Sequence, residues 1–200
     1  MIKTVIFDIG KVLMNYDWDG YLERIIHDGE TERAVKDALF TKGVWDELDR
    51  EVWSLDQIRN GFVRAAPGYR TEILTAFDRL GEAFTHRSYA KDWINGLKKR
   101  GYQVLYLSNY STYAIEANRD VLDFLPLMDG GIFSRDVKLI KPDPAIYRAL
   151  IDTYHLTPAE CVFIDDTKPN VDEAARQGIH AIHFIDYKQA SAELERLLNV

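Results

Sequence analysis

Five short runs of β-branched and aromatic residues punctuate the chain. They are Thr4–Ile9 (TVIFDI), Gln103–Ser108 (QVLYLS), Gly131–Phe133 (GIF), Cys161–Asp165 (CVFID) and His180–Ile185 (HAIHFI). Four are nearly continuous in apolar residues rather than alternating, which predicts strands buried on both faces, as in a parallel sheet covered by helices. Helical patterns fall between them. Ala90–Arg100 ends at Gly101, a residue suited to a left-handed stop. Pro144–Tyr154 follows Asp143 as N-cap, with proline at the first helical position. Pro169–Gln177 repeats that design and stops at Gly178. Strand and helix in alternation predict an α/β fold, a doubly wound parallel sheet.

Residues from about Asn15 to about Phe84 break the alternation, because no convincing strand occurs there. They predict helices at Asp19–His27, Thr31–Phe40, Ser54–Ala66 and Arg70–Phe84, the last two parted by Pro67-Gly68. A crossover between parallel strands needs only about 10–12 residues, so this stretch is an inserted helical subdomain. The expected division is a core of residues 1–14 and 85–200 and a helical cap of residues 15–84.

Composition narrows the classes. At 200 residues the chain is one domain, or one plus an insertion, long enough to bury a core without disulfides. The charge is −7, from 25 Lys+Arg against 32 Asp+Glu. Nucleic acid and anionic membranes are therefore not expected partners, since both need a concentrated basic surface. One cysteine excludes a disulfide framework and fits a reducing compartment. The start, MIKTVIFDIG, is too short an apolar run for a signal peptide, and no run reaches the ~18 apolar residues of a membrane span. A cytoplasmic location is the expectation. Oligomeric state is not legible.

Candidate chemistry sits at strand ends, where ligands of open α/β sheets collect. Asp8 ends the first run, Ser108-Asn109 the second and Asp165-Asp166 the fourth, while Lys141 precedes Pro142 in LIKPDP and so belongs to a loop. Each alone is ordinary: an acid capping a turn, polar turn residues, a solvated loop, a surface lysine. Together they place three acids and a cation at one edge. Clustered carboxylates repel unless a cation holds them. Mg2+ prefers oxygen ligands, and a lysine with a helix N-terminus beside such an ion suits a phosphate.

FDIGKVL, LSN, KPDPAIY and FIDDTKPNVDEAARQG, in that order, resemble the four motifs of the haloacid dehalogenase (HAD) superfamily. The resemblance covers essentially the whole chain, the helical insertion matching that superfamily's small cap. The FDIGKVL start looks most like the subgroup containing α-D-glucose-1-phosphate phosphatases. It implies a phosphatase acting on a small phosphate monoester, such as a sugar phosphate, through an aspartyl-phosphate on Asp8. It implies Mg2+ held by Asp8, the Gly10 carbonyl and Asp166, with Asp165 holding a metal-bound water or orienting its neighbour. Ser108 and the Asn109 amide would bind phosphate oxygens, Lys141 would neutralise charge, and Asn170 would support the metal loop.

One position departs from that pattern. Most phosphatases of this superfamily carry a second aspartate two residues after the nucleophile, to protonate the leaving oxygen and activate water. Here that residue is Gly10. Acid–base help of this kind is typically worth ~10²–10⁴ in rate. Asp17 is the expected stand-in, with Tyr16 and Asp19 behind it. An easily released leaving group would also remove the need. Two alternatives stay open: a 2-haloacid dehalogenase, disfavoured by the paired acids Asp165-Asp166, and a weakly active protein that binds a phosphorylated ligand.

Within the insertion, Gly43–Leu55 (GVWDELDREVWSL) is rich in charge and tryptophan. Trp45, Glu47, Asp49 and Arg50 could reach a sugar's hydroxyls or ring face, with Trp45 and Arg50 the tentative substrate contacts. Trp45 and Trp53 could equally be core of the cap. The five histidines lack metal-ligand spacing, and His180 and His183 fall on opposite faces of a strand. Cys161 reads as packing, and no GxSxG, P-loop or GxGxxG occurs.

Overall fold

The computed structural model describes residues 1–41 and 43–199. In chain order it runs β1 (Thr4–Phe7), β2 (Met14–Tyr16), α1 (Trp18–Ile25), α2 (Gly29–Leu39), α3 (Val44–Arg50), α4 (Leu55–Ala65), α5 (Arg70–Asp78), β3 (Phe84–His86), α6 (Ala90–Lys99) and β4 (Gln103–Ser108). There follow α7 (Thr112–Ala117), β5 (Gly130–Phe133), α8 (Ser134–Val137), α9 (Pro144–Thr153), β6 (Cys161–Asp165), α10 (Lys168–Arg176), β7 (His180–His183) and α11 (Tyr187–Leu198). Five strands form one parallel sheet in the order β5-β4-β1-β6-β7.

Continuous apolar runs have the meaning expected of them. On β1, Val5 and Phe7 pack into one core and Ile6 into another. On β6, Val162 and Ile164 share the first, while Cys161 and Phe163 share the second. Helices α6 and α11 cover the first face with Trp93, Ile94, Leu97, Ala190 and Leu194. Helices α9 and α10 cover the second with Ile146, Tyr147, Leu150 and Ala174. Gly101 and Gly178 end α6 and α10 at φ +87° and +82°, as their positions predict. Asp143 caps α9 by accepting from the Ala145 N–H.

The stretch after β1 holds α1–α5, and its apolar faces join the first core without a break: Tyr21, Leu22, Ile58, Phe62 and Phe77 are wholly buried with Phe7 and Leu13. Several details differ from the sequence reading, among them helices α3 and α8, which form where no helix is predicted. Asn15, Tyr16 and Phe84 lie in strands, since β2 and β3 pair antiparallel with each other at the neck of the insertion. Each has three residues and its partner lies 70 residues away, so neither shows a period-2 pattern. The last insertion helix stops at Asp78 and gives way to a 3₁₀ turn over Leu80–Ala83. There Gly81 lets the backbone of α7 approach, for a Cβ at that residue would sit 2.2 Å from the Ala117 carbonyl oxygen. Helix α11 was not expected at all, although Asp186 caps it and Ala190, Leu194 and Leu198 recur at helical spacing on its buried face. Among the described residues no helix is long and apolar enough to cross a membrane.

Candidate active site

Three adjacent central strands deliver the acids and a serine to one place. Asp8 follows β1 directly, Ser108 closes β4 and Asp165 closes β6, with Asp166 next in line. Phe7 is level with Ile164 in the ladder, and the Asp8 N–H donates to the Ile164 carbonyl at 2.9 Å. The chain runs outward from β1 through β4 to β5, then returns to the other side of β1 for β6 and β7. The acids thus stand at the switch point where such sheets open a crevice.

Lys141 reaches them from the loop between α8 and α9, ahead of a cis bond to Pro142. Asn109 fixes that loop with both ends of its side-chain amide. Its Oδ1 accepts from the Lys141 N–H at 2.8 Å and its Nδ2 donates to the Lys141 carbonyl at 3.1 Å. The Asn109 side chain is therefore committed to positioning Lys141.

The Lys141 ammonium bridges two carboxylates, at 2.9 Å from Asp8 Oδ1 and 2.6 Å from Asp165 Oδ2. Its side chain is 1% exposed and that of Asp165 0%. A buried ion pair is tolerable only when the remaining lone pairs are satisfied, and here they are. Asp165 Oδ1 accepts from the Thr167 N–H at 2.7 Å, and the Asn170 amide donates to both Asp165 oxygens at 3.1 and 3.0 Å. Burial works against charge on Lys141, but Asp165 and Asp8 outweigh it and raise its pKa above the ordinary lysine value.

The two other acids are less well compensated. Burial, opposed by Lys141 and reinforced by Asp165 and Asp166, pushes Asp8 up to about 6. Burial and the neighbouring Asp165 also raise Asp166, against Lys11, whose ammonium lies 3.7 Å from Asp166 Oδ2. Oxygens of Asp8, Asp165 and Asp166 lie within 4.8 Å of one another. Such a set, short of positive charge and made only of carboxylates, fits a hard divalent cation. Asp165 already has both oxygens engaged, so Asp8 and Asp166 are the better placed to meet an ion.

Above these residues lies a cavity of about 220 Å³. The sheet edge contributes Asp8, Gly10, Ser108, Asn109, Lys141 and Asp166, and the Asn170 side chain is also on its wall. From the insertion side come Trp45 and Asp49, and from the neck Tyr16 and Phe84. Trp45 serves packing as well, edge-on to Trp18 and stacked on Phe40. Four candidates, Asp17, Asp19, Glu47 and Arg50, are not brought in. Arg50 is turned to its neighbour Glu47, at 2.7 Å, and is not on the cavity wall.

Asp17, expected as the stand-in acid, is the exposed N-cap of α1, accepting from the Gly20 N–H at 3.0 Å. Helix geometry claims it, and the cavity that holds Asp8 does not include it. Asn caps as well as Asp, so Asp17→Asn should leave both kcat and melting temperature unchanged; a large fall in kcat would return Asp17 to the chemistry. Lys11, beside Asp166, is not legible in the sequence, because a lysine in a turn has no distinguishing signal. Its left-handed backbone, φ +60°, is visible only in the fold.

This sheet, flanked by helices and with its charged residues at the switch point, makes the chain a doubly wound α/β protein. The model of the haloacid dehalogenase-like hydrolase family matches residues 2–178, and the chain belongs to that family. It is 26% identical over 207 residues to a D-ribitol-5-phosphate phosphatase of Bacteroides thetaiotaomicron, covering 100% of both chains. Two longer curated relatives are spanned over only 37% and 31% of their lengths. Among solved structures, a predicted HAD-like family hydrolase from Porphyromonas gingivalis superposes with a TM-score of 0.76 at 24% identity, covering 98% of each chain. A HAD family enzyme from Bacteroides thetaiotaomicron, crystallised with magnesium and inorganic phosphate, superposes at 0.73 with 19% identity, over 94% of this chain and 98% of that one.

Proposed function

We propose that the protein is a Mg2+-dependent phosphatase that hydrolyses a small phosphate monoester, a sugar or polyol phosphate, through an aspartyl-phosphate on Asp8. The observation that carries this reading is the buried bridge of Lys141 between Asp8 and Asp165 at the floor of a cavity of about 220 Å³. That room suits a small ester. The full-length similarity to a ribitol-phosphate phosphatase supports the same substrate class.

Asp8 attacks phosphorus, a bond forms from its carboxylate oxygen, and the ester oxygen departs. Water then attacks the same phosphorus and releases inorganic phosphate, restoring the carboxylate. Lys141 stays protonated throughout and offsets negative charge as the phosphoryl group arrives. Ser108, at the cavity wall, donates its hydroxyl to a phosphate oxygen, and the Asn109 backbone N–H does the same. Asp165 and Asn170 hold Lys141 in place. Asp8, Asp166 and the Gly10 carbonyl would hold Mg2+, which supplies Lewis-acid charge to the phosphoryl oxygens and relieves repulsion among the carboxylates. The second acid, Asp166, favours this chemistry over attack on carbon.

A pH-dependent metal effect follows. Folded Asp8 titrates near 6 against an ordinary value of 3.8. Between those values the folded state holds more protons than the unfolded one, so stability falls as pH rises through the window. Asp166 is shifted in the same sense. Mg2+ should therefore raise the melting temperature more at about pH 7.5 than at about pH 5, because the proton competes with the ion at the lower pH. Thermal melts with Mg2+ or EDTA at both pH values measure this, and an equal shift at the two would contradict the assignment of Asp8 as a ligand. Phosphate release from a panel of sugar and polyol phosphates, with and without Mg2+, tests the activity itself.

A further inference from the structure

An alkoxide leaves phosphorus poorly unless it is protonated. Gly10 has no side chain to do this, and Asp17 is occupied outside the cavity. On the phosphatase reading above, we propose that Asp49 of the helical insertion is the proton donor to the leaving oxygen and the proton acceptor from the attacking water.

The placement of Asp49 is built, not incidental. It is the next-to-last residue of α3, and its carbonyl accepts from the Ser134 hydroxyl at 2.6 Å. Ser134 is fully buried and its oxygen accepts in turn from the Tyr110 N–H at 2.8 Å. Two residues on, Glu51 takes a left-handed conformation at φ +54°, and its carboxylate accepts from the Thr112 N–H at 2.7 Å. Lys138 donates to the Glu51 carbonyl at 3.3 Å. The end of α3 is thus fastened to the core at both α7 and α8. Asp49 is thereby set in the same cavity wall as Asp8, Ser108 and Lys141.

Its surroundings keep a proton on it. Burial, with Asp46 one turn back and Asp8 on the core adding repulsion, pushes the carboxyl up to about 8 against the pull of Lys141. The other titratable groups facing it are the phenols of Tyr16 and Tyr110, both held above their ordinary range chiefly by burial. Those phenols give up a proton far less readily than a carboxylic acid. In the first half-reaction the Asp49 proton moves to the ester oxygen as the P–O bond breaks and the Asp8–phosphorus bond forms. In the second, Asp49 carboxylate takes a proton from water as the water oxygen bonds to phosphorus and Asp8 departs. The acid ends the cycle as it began.

The experiment compares two esters in wild-type protein and Asp49→Asn. One is the alkyl phosphate turned over fastest in the sugar and polyol screen. The other is p-nitrophenyl phosphate, whose phenolate leaves without a proton. The substitution keeps the backbone carbonyl that Ser134 holds, and thermal melts report its folding. Expected is a fall in kcat of ~10²–10⁴ for the alkyl ester; with the aryl ester the stoichiometric burst of phenolate that reports phosphorylation of Asp8 persists, while steady-state turnover slows because the attacking water has lost its base. Adding Gly10→Asp should restore alkyl turnover, since a Cβ there meets nothing within 4 Å. Loss of the aryl burst together with alkyl turnover, or no loss with either ester, overturns the role of Asp49, while Asp8-dependent aryl turnover in the wild-type protein keeps the phosphatase reading standing. A wild-type protein that hydrolyses neither ester overturns both.

Discussion

Asp8→Asn is expected to lose kcat by roughly 10⁴-fold or more, the scale on which removal of a covalent nucleophile acts. The same substitution is expected to leave the metal-free protein as stable as before or more stable. The reason is electrostatic. Asp8 is shifted up to about 6 because burial and two neighbouring acids disfavour its charge more than Lys141 favours it. Near neutral pH that charge costs stability, and the nearly isosteric amide removes it. Lys141 keeps Asp165 as a partner at 2.6 Å, so no buried cation is left alone. The stabilisation by Mg2+ should shrink in the variant, because one of its carboxylates is gone. Kinetics on the best ester of the panel and melts with and without Mg2+ measure both halves. A variant that keeps wild-type turnover would remove Asp8 as nucleophile, and one that loses activity only because it unfolds would remove the electrostatic account.

What could be read from the chain alone divides along physical lines. The sheet was legible because burial on both faces writes continuous apolar runs, and the acids were legible because they interrupt such runs at their carboxyl ends. Gly101, Asp143 and Gly178 marked helix ends for local reasons, so their reading needed no tertiary information. Asp17 misled for a related cause. Its closeness to Asp8 in sequence suggested closeness in space, but a residue just ahead of a helix is drawn into capping it, and Asp17 caps α1. Asp49 lies 41 residues from Asp8, yet it shares the cavity because Ser134 and Thr112 fasten the end of α3 to the core. Those contacts join residues 85 and 61 positions apart, and nothing in a local pattern announces them. The segment Gly43–Leu55 stands out in the sequence for its charges and tryptophans. Which charge faced the cavity depended on the rotation of α3, which turned Asp49 onto the wall and paired Arg50 with Glu47.

Lys141→Met should cost more than any other single change at the site, because it removes charge from a place that water does not reach. Methionine matches the lysine stem in length and flexibility, so packing is largely kept and the effect is electrostatic. Asp165 would remain buried with only Asn170 and the Thr167 N–H to satisfy it, next to a buried Asp8. Removing one partner of a buried ion pair typically costs ~3–5 kcal/mol. The loss should be smaller at low pH, where Asp8 accepts a proton and no longer needs a counter-charge, and larger as pH rises through the raised pKa of Asp8. Arginine would not rescue it, since a planar fork cannot replace a compact ammonium held at 2.9 and 2.6 Å between two carboxylates. Turnover should fall by a further ~10²–10³ where the protein stays folded, the usual effect of deleting one group that stabilises developing charge. Denaturant melts from about pH 5 to about pH 8 separate the two contributions. If Lys141→Met were as stable as the parent across that range, the bridge between Asp8 and Asp165 would be incidental to the fold, and the reading of the cluster as a charge-balanced phosphate site would lose its physical basis.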